Sequence, residues 1–221
     1  MNGYRIIDKA DWPRRDHFEF FHRFDNPCFN IGVQLEAANL HACAKDRGVS
    51  FFLLALYAIL RAANTVPQMR QRIVAGNIVE FERIAVMTPI MTEQELFRQI
   101  WCEYTPTFAA FAQETVPKVA AAHKDAPAPM KDHGEDFLCA SCLPWLHFTS
   151  ISQAEYNFGQ AVPILAWGKM KNGSIPISAK FHHGFVDGLH VGRFFAEMEH
   201  SFAAPETLWL PLHIGADRAD R

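Results

Sequence analysis

Between Ser174 and His183 apolar and polar residues alternate. Ile175, Ile177, Ala179, Phe181 and His183 fall on one side, and Ser178, Lys180 and His182 on the other. A period of two predicts a strand, with His183 closing its apolar face. Past a turn from Gly184 to Gly188 the period lengthens. Val191, Phe194, Phe195, Met198 and Phe202 recur at helical spacing, which predicts an amphipathic helix for which Asp187 is placed as N-cap. An imidazole at a strand end and a carboxylate at a helix start are thus joined by a short turn.

The same reading extends over the rest of the chain. Residues 12–24 carry aromatics at helical spacing, with Asp11 as the cap and Pro13 in the first turn. A strand is expected over 28–37 and a short helix from Asn39 to Arg47, ended by Gly48. Ser50 opens a run that is apolar nearly all round for about four turns, the composition of a helix buried beneath a sheet. Leu96, Phe97, Ile100, Trp101, Tyr104, Phe108, Phe111 and Val116 predict two or three helical pieces across 94–123, broken by Pro106 and Pro117 and packed as an outer layer. Residues 124–136 read as a loop, long enough to border a pocket but too short to divide domains. A strand is expected around Cys139 and Cys142. The chain therefore reads as a single domain over 1–221. Residues 204–221 form a C-terminal extension whose apolar half packs and whose end, 217–221, frays.

Composition narrows the partners. With 221 residues, 49% of them hydrophobic, the chain has a core large enough to need no staples. A formal charge of −3 without any block of like charge disfavours nucleic acid and anionic membrane surfaces. No stretch reaches the ~20 apolar residues of a membrane span, and the N-terminus lacks a signal-like segment, so a cytoplasmic protein is expected. Five scattered cysteines, Cys28, Cys43, Cys102, Cys139 and Cys142, read as reduced thiols. Cys139 and Cys142 form a C-x-x-C. A redox or zinc role for it would need a helix start or a second such pair, and the surrounding residues read as strand.

The chemistry centres on His183. An imidazole titrating near neutrality and held against apolar surface is suited to take a proton from a hydroxyl, although a histidine on an apolar face also serves as plain core. Three nearby histidines, His182, His183 and His190, raise a metal alternative. Strand geometry opposes it by sending His182 and His183 to opposite faces.

The run His182-His183-Gly-Phe-Val-Asp187-Gly188-Leu-His190 resembles the His-His-x-x-x-Asp-Gly-x-His signature of the chloramphenicol acetyltransferase family. Its shorter core is shared with the acyltransferase domains of 2-oxoacid dehydrogenase complexes. Two further blocks favour the former: Trp12-x-Arg14-x-x-His17-Phe18, and Ser141-x-x-Pro144-Trp145-x-x-Phe148-x-Ser150. The resemblance covers roughly residues 4–203 and implies strands over 77–83, 85–90 and 162–170. It implies an α+β two-layer fold of the CoA-dependent acyltransferase type, with a mixed sheet covered by helices and assembled as a homotrimer with active sites at subunit interfaces. It further implies acetyl transfer from acetyl-CoA, as co-substrate and without metal, to a hydroxyl of chloramphenicol in a ternary complex. His183 would be the base and Ser141 the oxyanion donor. Arg14 would pair with Asp187 in a buried couple whose breaking strands a charge.

Phe20, Phe21, Phe29 and Phe148 are candidates for the acceptor pocket, and Lys169 and Trp145 for the coenzyme. Departures from the family pattern are Ala166 for a threonine that helps hold a water, Met170 and Phe21 for tyrosines, and Ser50 for a lysine. Other readings stay open: another small alcohol as acceptor, a non-catalytic binding protein that kept the fold, and a Ser141–His183–Asp187 hydrolytic triad. The triad lacks the Gly-x-Ser-x-Gly elbow that would expose its nucleophile.

Overall fold

The computed structural model describes residues 2–125, 134–154 and 161–212. Nine strands and five α-helices are found among them, in a mixed α+β arrangement. The larger sheet has six strands: β2 (Cys28–Glu36), β5 (Ala85–Met91), β6 (Phe97–Cys102), β7 (Phe137–Leu143), β8 (Ile164–Gly168) and β9 (Ser174–His182). Its order is β2-β9-β8-β7-β5-β6. β7 runs parallel to both β5 and β8, and the other pairs are antiparallel, so the sheet is mixed. A second, three-stranded antiparallel sheet, which sequence periodicity did not announce, contains β1 (Tyr4–Ile6), β4 (Asn77–Phe81) and β3 (Gln71–Val74).

The alternation in β9 has the expected parity. Ile175, Ile177, Ala179 and Phe181 are sealed against the helical layer, where Phe181 meets Phe194 of α5 (Gly188–Ala203) edge to face at 6.0 Å. The opposite face is also covered, since Ser178, Lys180 and His182 are buried. α3 (Phe51–Thr65) packs on α5 and is buried from Leu53 to Leu60, as its all-round apolar composition requires. Ser50 caps it by accepting the Leu53 N–H.

At the far end of α3, Asn64 is fully buried and satisfied three times over. Its Nδ2 donates to the Leu60 and Ile84 carbonyls, and its Oδ1 accepts the Ile84 N–H at 2.9 Å. Pro67 then starts a 3-10 turn, and the Arg70 guanidinium donates to the Phe81 and Glu82 carbonyls, tying helix, turn and β4 together. α2 (Ala38–Asp46) packs on both α3 and α5.

Two expectations are corrected. Residues 94–123 are not helical throughout: Phe97–Cys102 is edge strand β6, and only Phe108–His123 is helix, α4, running unbroken through Pro117. The helix tolerates that proline because Pro117 and Gln113, whose carbonyl loses its donor, both lie on the exposed side where water can serve. The first helix, α1, is Arg15–Phe21. Its start is fixed by Arg15 N–H donating to the Trp12 carbonyl, so Asp11 lies outside and is not its cap.

The C-terminal extension packs as expected over 205–212. Leu208 is fully buried, Trp209 meets Phe108 at 5.0 Å, and Arg61 donates to the Thr207 and Leu210 carbonyls. Residues 217–221 and most of the 124–136 loop lie outside the described residues. Among the described residues no helix is long and apolar enough to cross a membrane.

Candidate active site

The end of β9 is built around close backbone packing. His183 N–H donates to the Pro27 carbonyl at 2.8 Å, and the Phe185 and Val186 N–H groups both bond the His182 carbonyl at 3.1 Å, closing a tight turn. Phe185 and Val186 anchor that turn in the core. At Gly184 a Cβ would meet the His182 ring at 2.8 Å and the Phe18 ring at 2.9 Å, so no larger residue fits without displacing the turn. Asp187 then caps α5, its Oδ1 accepting the Leu189 N–H at 3.1 Å.

His183 and His182 have different surroundings. The His183 ring is half-buried and stacked on Phe21, with centroids 3.9 Å apart and planes 6° from parallel, and Phe29 leans against it at 4.5 Å. Its Nδ1 is buried without a hydrogen-bond partner among the described residues. His182 is enclosed between Phe18 and Phe185, and its Nδ1 accepts the Gly184 N–H at 3.0 Å. Burial, helped by the neighbouring His22 charge, pushes the His182 pKa down to about 4, so this ring is neutral and structural. Among the described residues no group of three His, Cys, Asp or Glu is placed to hold a metal ion.

Arg14 grips the turn at three points. Nη1 donates to Asp187 Oδ2 at 2.7 Å, Nη2 to the His183 carbonyl and Nε to the Gly184 carbonyl, each at 3.3 Å. The pair is less buried than expected, with the Asp187 side chain 34% exposed and that of Arg14 13%. Burial acts to raise the Asp187 pKa. The Arg14 hydrogen bond and the charges of His190 and Arg14 outweigh it and bring the carboxyl down to about 2.

Ser141 lies on β7, half-buried, and its hydroxyl makes no hydrogen bond among the described residues. That differs from a structural serine tied to backbone. Cys139 and Cys142, on the same strand, are free thiols whose pKa values burial pushes up to about 11 and about 12, which makes them poor nucleophiles. After β7 the chain turns back on β8. Lys169 N–H donates to the Leu146 carbonyl at 2.6 Å and His147 Nδ1 meets the Lys169 carbonyl at 2.9 Å. Ser141, Trp145, Phe148 and Lys169 therefore share one end of the sheet, with Trp145 and Lys169 exposed.

The register separates this group from His183. Ser141 pairs with Ala166, and Ala166 with Ser178, five residues before His183 on a strand running the other way. Two strand spacings and five residues of rise put Ser141 and His183 of one chain about 19 Å apart. Arg14, Asp187, Phe20, Phe21 and Phe29 gather on the His183 side. Phe148 does not join them: its ring lies against Gly168, whose Cβ would meet it at 3.0 Å. A Ser141–His183–Asp187 triad within one chain is excluded by this distance, and Asp187 faces Arg14 and His190 rather than the His183 ring.

Two features escaped the sequence reading. Phe24 completes an aromatic cluster with Phe20 and Phe21, at 5.2 and 5.4 Å, and Phe20 and Phe24 are largely exposed. His190 contacts Asp187 through Nδ1 at 2.7 Å, a contact foreshadowed only by the capping-box spacing of the two residues.

Comparison with known proteins adds the lineage. Residues 1–199 match the family described as Chloramphenicol acetyltransferase. The chloramphenicol acetyltransferase of Escherichia coli is 26% identical over 205 residues, covering 90% of this chain and 94% of that protein. A solved chloramphenicol acetyltransferase superposes with a TM-score of 0.83 at 33% identity, covering 90% of this chain and 99% of the other. A probable dihydrolipoamide acetyltransferase from Listeria monocytogenes, at 14% identity and a TM-score of 0.62 over 97% of this chain and 96% of its own, shares the fold alone. With most of its length matched and its three motif blocks placed in one architecture, this chain belongs to the chloramphenicol acetyltransferase family.

Proposed function

We propose that the chain transfers the acetyl group of acetyl-CoA to a hydroxyl of chloramphenicol, with His183 as general base. The observation that carries this reading is the setting of His183. Its ring is stacked on Phe21, its backbone carbonyl is held by Arg14, and its Nδ1 is buried, which leaves Nε2 to meet a substrate hydroxyl. Nε2 takes the hydroxyl proton as the oxygen attacks the thioester carbonyl. Charge then develops on the thioester oxygen, where the hydroxyl of Ser141 donates. Collapse of the tetrahedral intermediate expels the CoA thiolate, which takes up the proton from His183.

Ser141 and His183 meet only if they come from different chains, since ~19 Å separates them within one. Support for a shared site comes from apolar groups left exposed at both ends: Trp145 and Leu146 beside Ser141, and Phe20, Phe24 and Leu189 around His183. We assign the acceptor to the Phe20, Phe21 and Phe29 side, completed by Phe148 of a neighbouring copy in a homotrimer. Lys169 and Trp145 meet acetyl-CoA, the lysine as a point charge toward phosphate. The test is thiol release from acetyl-CoA with chloramphenicol as acceptor. Acceptor-dependent release is expected, and none with chloramphenicol or any other small alcohol would sink the assignment.

A further inference from the structure

The third histidine of the signature has no part in the reaction as written above. His190 sits in the first turn of α5 and is 7% exposed. Its Nδ1 lies 2.7 Å from Asp187 Oδ1 and 3.3 Å from the Asp187 backbone nitrogen. The two contacts compete, since the backbone N–H needs a lone pair on Nδ1 and the carboxylate needs a proton there. Two acceptors at 2.7 Å would repel, whereas a proton between them makes a charge-assisted bond of ordinary length. The proton therefore sits on Nδ1, and the 3.3 Å contact is secondary.

The charged groups facing the ring are Asp187, Arg14 and Arg193. Burial above all, then the two arginines, oppose a second proton against the pull of Asp187 and hold the ring's pKa below that of a free imidazole. Held this way, Oδ1 is occupied by His190 and Leu189, and Oδ2 is left for Arg14.

We propose that His190 is a positioning residue for the transfer reaction: its Nδ1–H orients the Asp187 carboxylate so that Arg14 stays on the His183 and Gly184 carbonyls and the base keeps its angle. This rests on the acetyl-transfer reading. A histidine that merely filled the helix–sheet junction would need no carboxylate partner, and its loss would act independently of Asp187.

Two substitutions separate these roles: His190→Ala, and His190→Asn, whose amide nitrogen falls where Nδ1 was. His190→Ala should lower kcat about ten- to a hundredfold, the worth of one charge-assisted hydrogen bond, with KM for acetyl-CoA unchanged. His190→Asn should restore most of the loss. In an Asp187→Ala background, His190→Ala should change kcat less than about twofold. Fully multiplicative losses, or folded Asn and Ala variants equally impaired, overturn the proposal.

A readout independent of turnover is the 15N resonance of the His190 ring in the otherwise unaltered protein. A protonated Nδ1 is expected, and a bare Nδ1 overturns the proposal. A wild-type protein that transfers no acetyl group would defeat the functional reading instead, and the tautomer would then decide the contact by itself.

Discussion

Replacing Arg14 by alanine removes the 2.7 Å bond to Asp187 and the two 3.3 Å bonds to the carbonyls of His183 and Gly184. A hydrogen bond to a charged group is worth ~1.5–3 kcal/mol. Here the lower end applies, because Asp187 is a third exposed and keeps His190 and Leu189 as partners. The carbonyl bonds are long and add at most ~0.5 kcal/mol each. The sum, about 2 kcal/mol, falls short of the ~3–5 kcal/mol of a fully buried pair. It corresponds to a loss of ~4–8 °C in Tm for a chain of this size. Differential scanning calorimetry measures the loss. The thiol-release assay should show kcat down by tenfold or more, with KM for acetyl-CoA unmoved because Arg14 bonds only Asp187 and the His183 and Gly184 carbonyls among the described residues. Arg14→Lys should fall between, since an ammonium can keep Asp187 but lacks the fork that also reaches both carbonyls. The Arg14→Ala and Asp187→Ala losses should combine to less than their sum. Strict additivity in Tm, or an unchanged kcat in Arg14→Ala, would refute the reasoning.

His183→Ala should cut turnover by ~10²–10⁴, the usual worth of a general base, while acetyl-CoA binding by calorimetry stays near wild type; unchanged turnover removes His183 as base. His182, although on the other face of β9, should not be freely replaceable, since it is enclosed by aromatics and accepts the Gly184 N–H. Its native pKa of about 4 lies below the ~6.5 of an unfolded chain, so the unfolded state gains the proton first and stability falls as pH drops from ~6.5 to ~4. Asp187, lowered to about 2 from ~3.9, contributes stability above pH ~4 that is lost as pH falls toward 2. Urea midpoints across pH should show both windows. His182→Asn should flatten the upper one and Asp187→Asn the lower, and slopes unchanged by either substitution would contradict the assignments.

The parts legible in the sequence were those where one physical preference dominated. β9 and α5 announced themselves because their apolar periods are clean and Asp187 marks the junction. α3 did so because a run apolar on every side has only one place to go. β6 was misread because Leu96, Phe97, Ile100 and Trp101 fit a helical template as well as a strand. Leu96 and Phe97 are exposed at the sheet edge, so the alternation that burial would impose is missing. At α1 the start is set by a backbone bond to Trp12 rather than by the nearest capping residue.

The Arg14–Asp187 pairing came from resemblance, since 173 positions separate the partners and no local rule joins them. The hold of Arg14 on two backbone carbonyls was invisible because carbonyls carry no sequence identity. The separation of Ser141 from His183 was equally hidden, because it depends on strand order and register, and neither motif contains that information.

The most direct test is whether Ser141 of one chain works with His183 of another. Ser141→Ala and His183→Ala proteins, each feebly active, are unfolded together, refolded as mixed oligomers, and assayed for chloramphenicol-dependent thiol release against the same proteins refolded separately and then combined. Some interfaces in the mixture join an intact Ser141 to an intact His183, so activity well above that control is predicted. Mixed oligomers confirmed by mass that stay as inactive as the control would contradict the shared site.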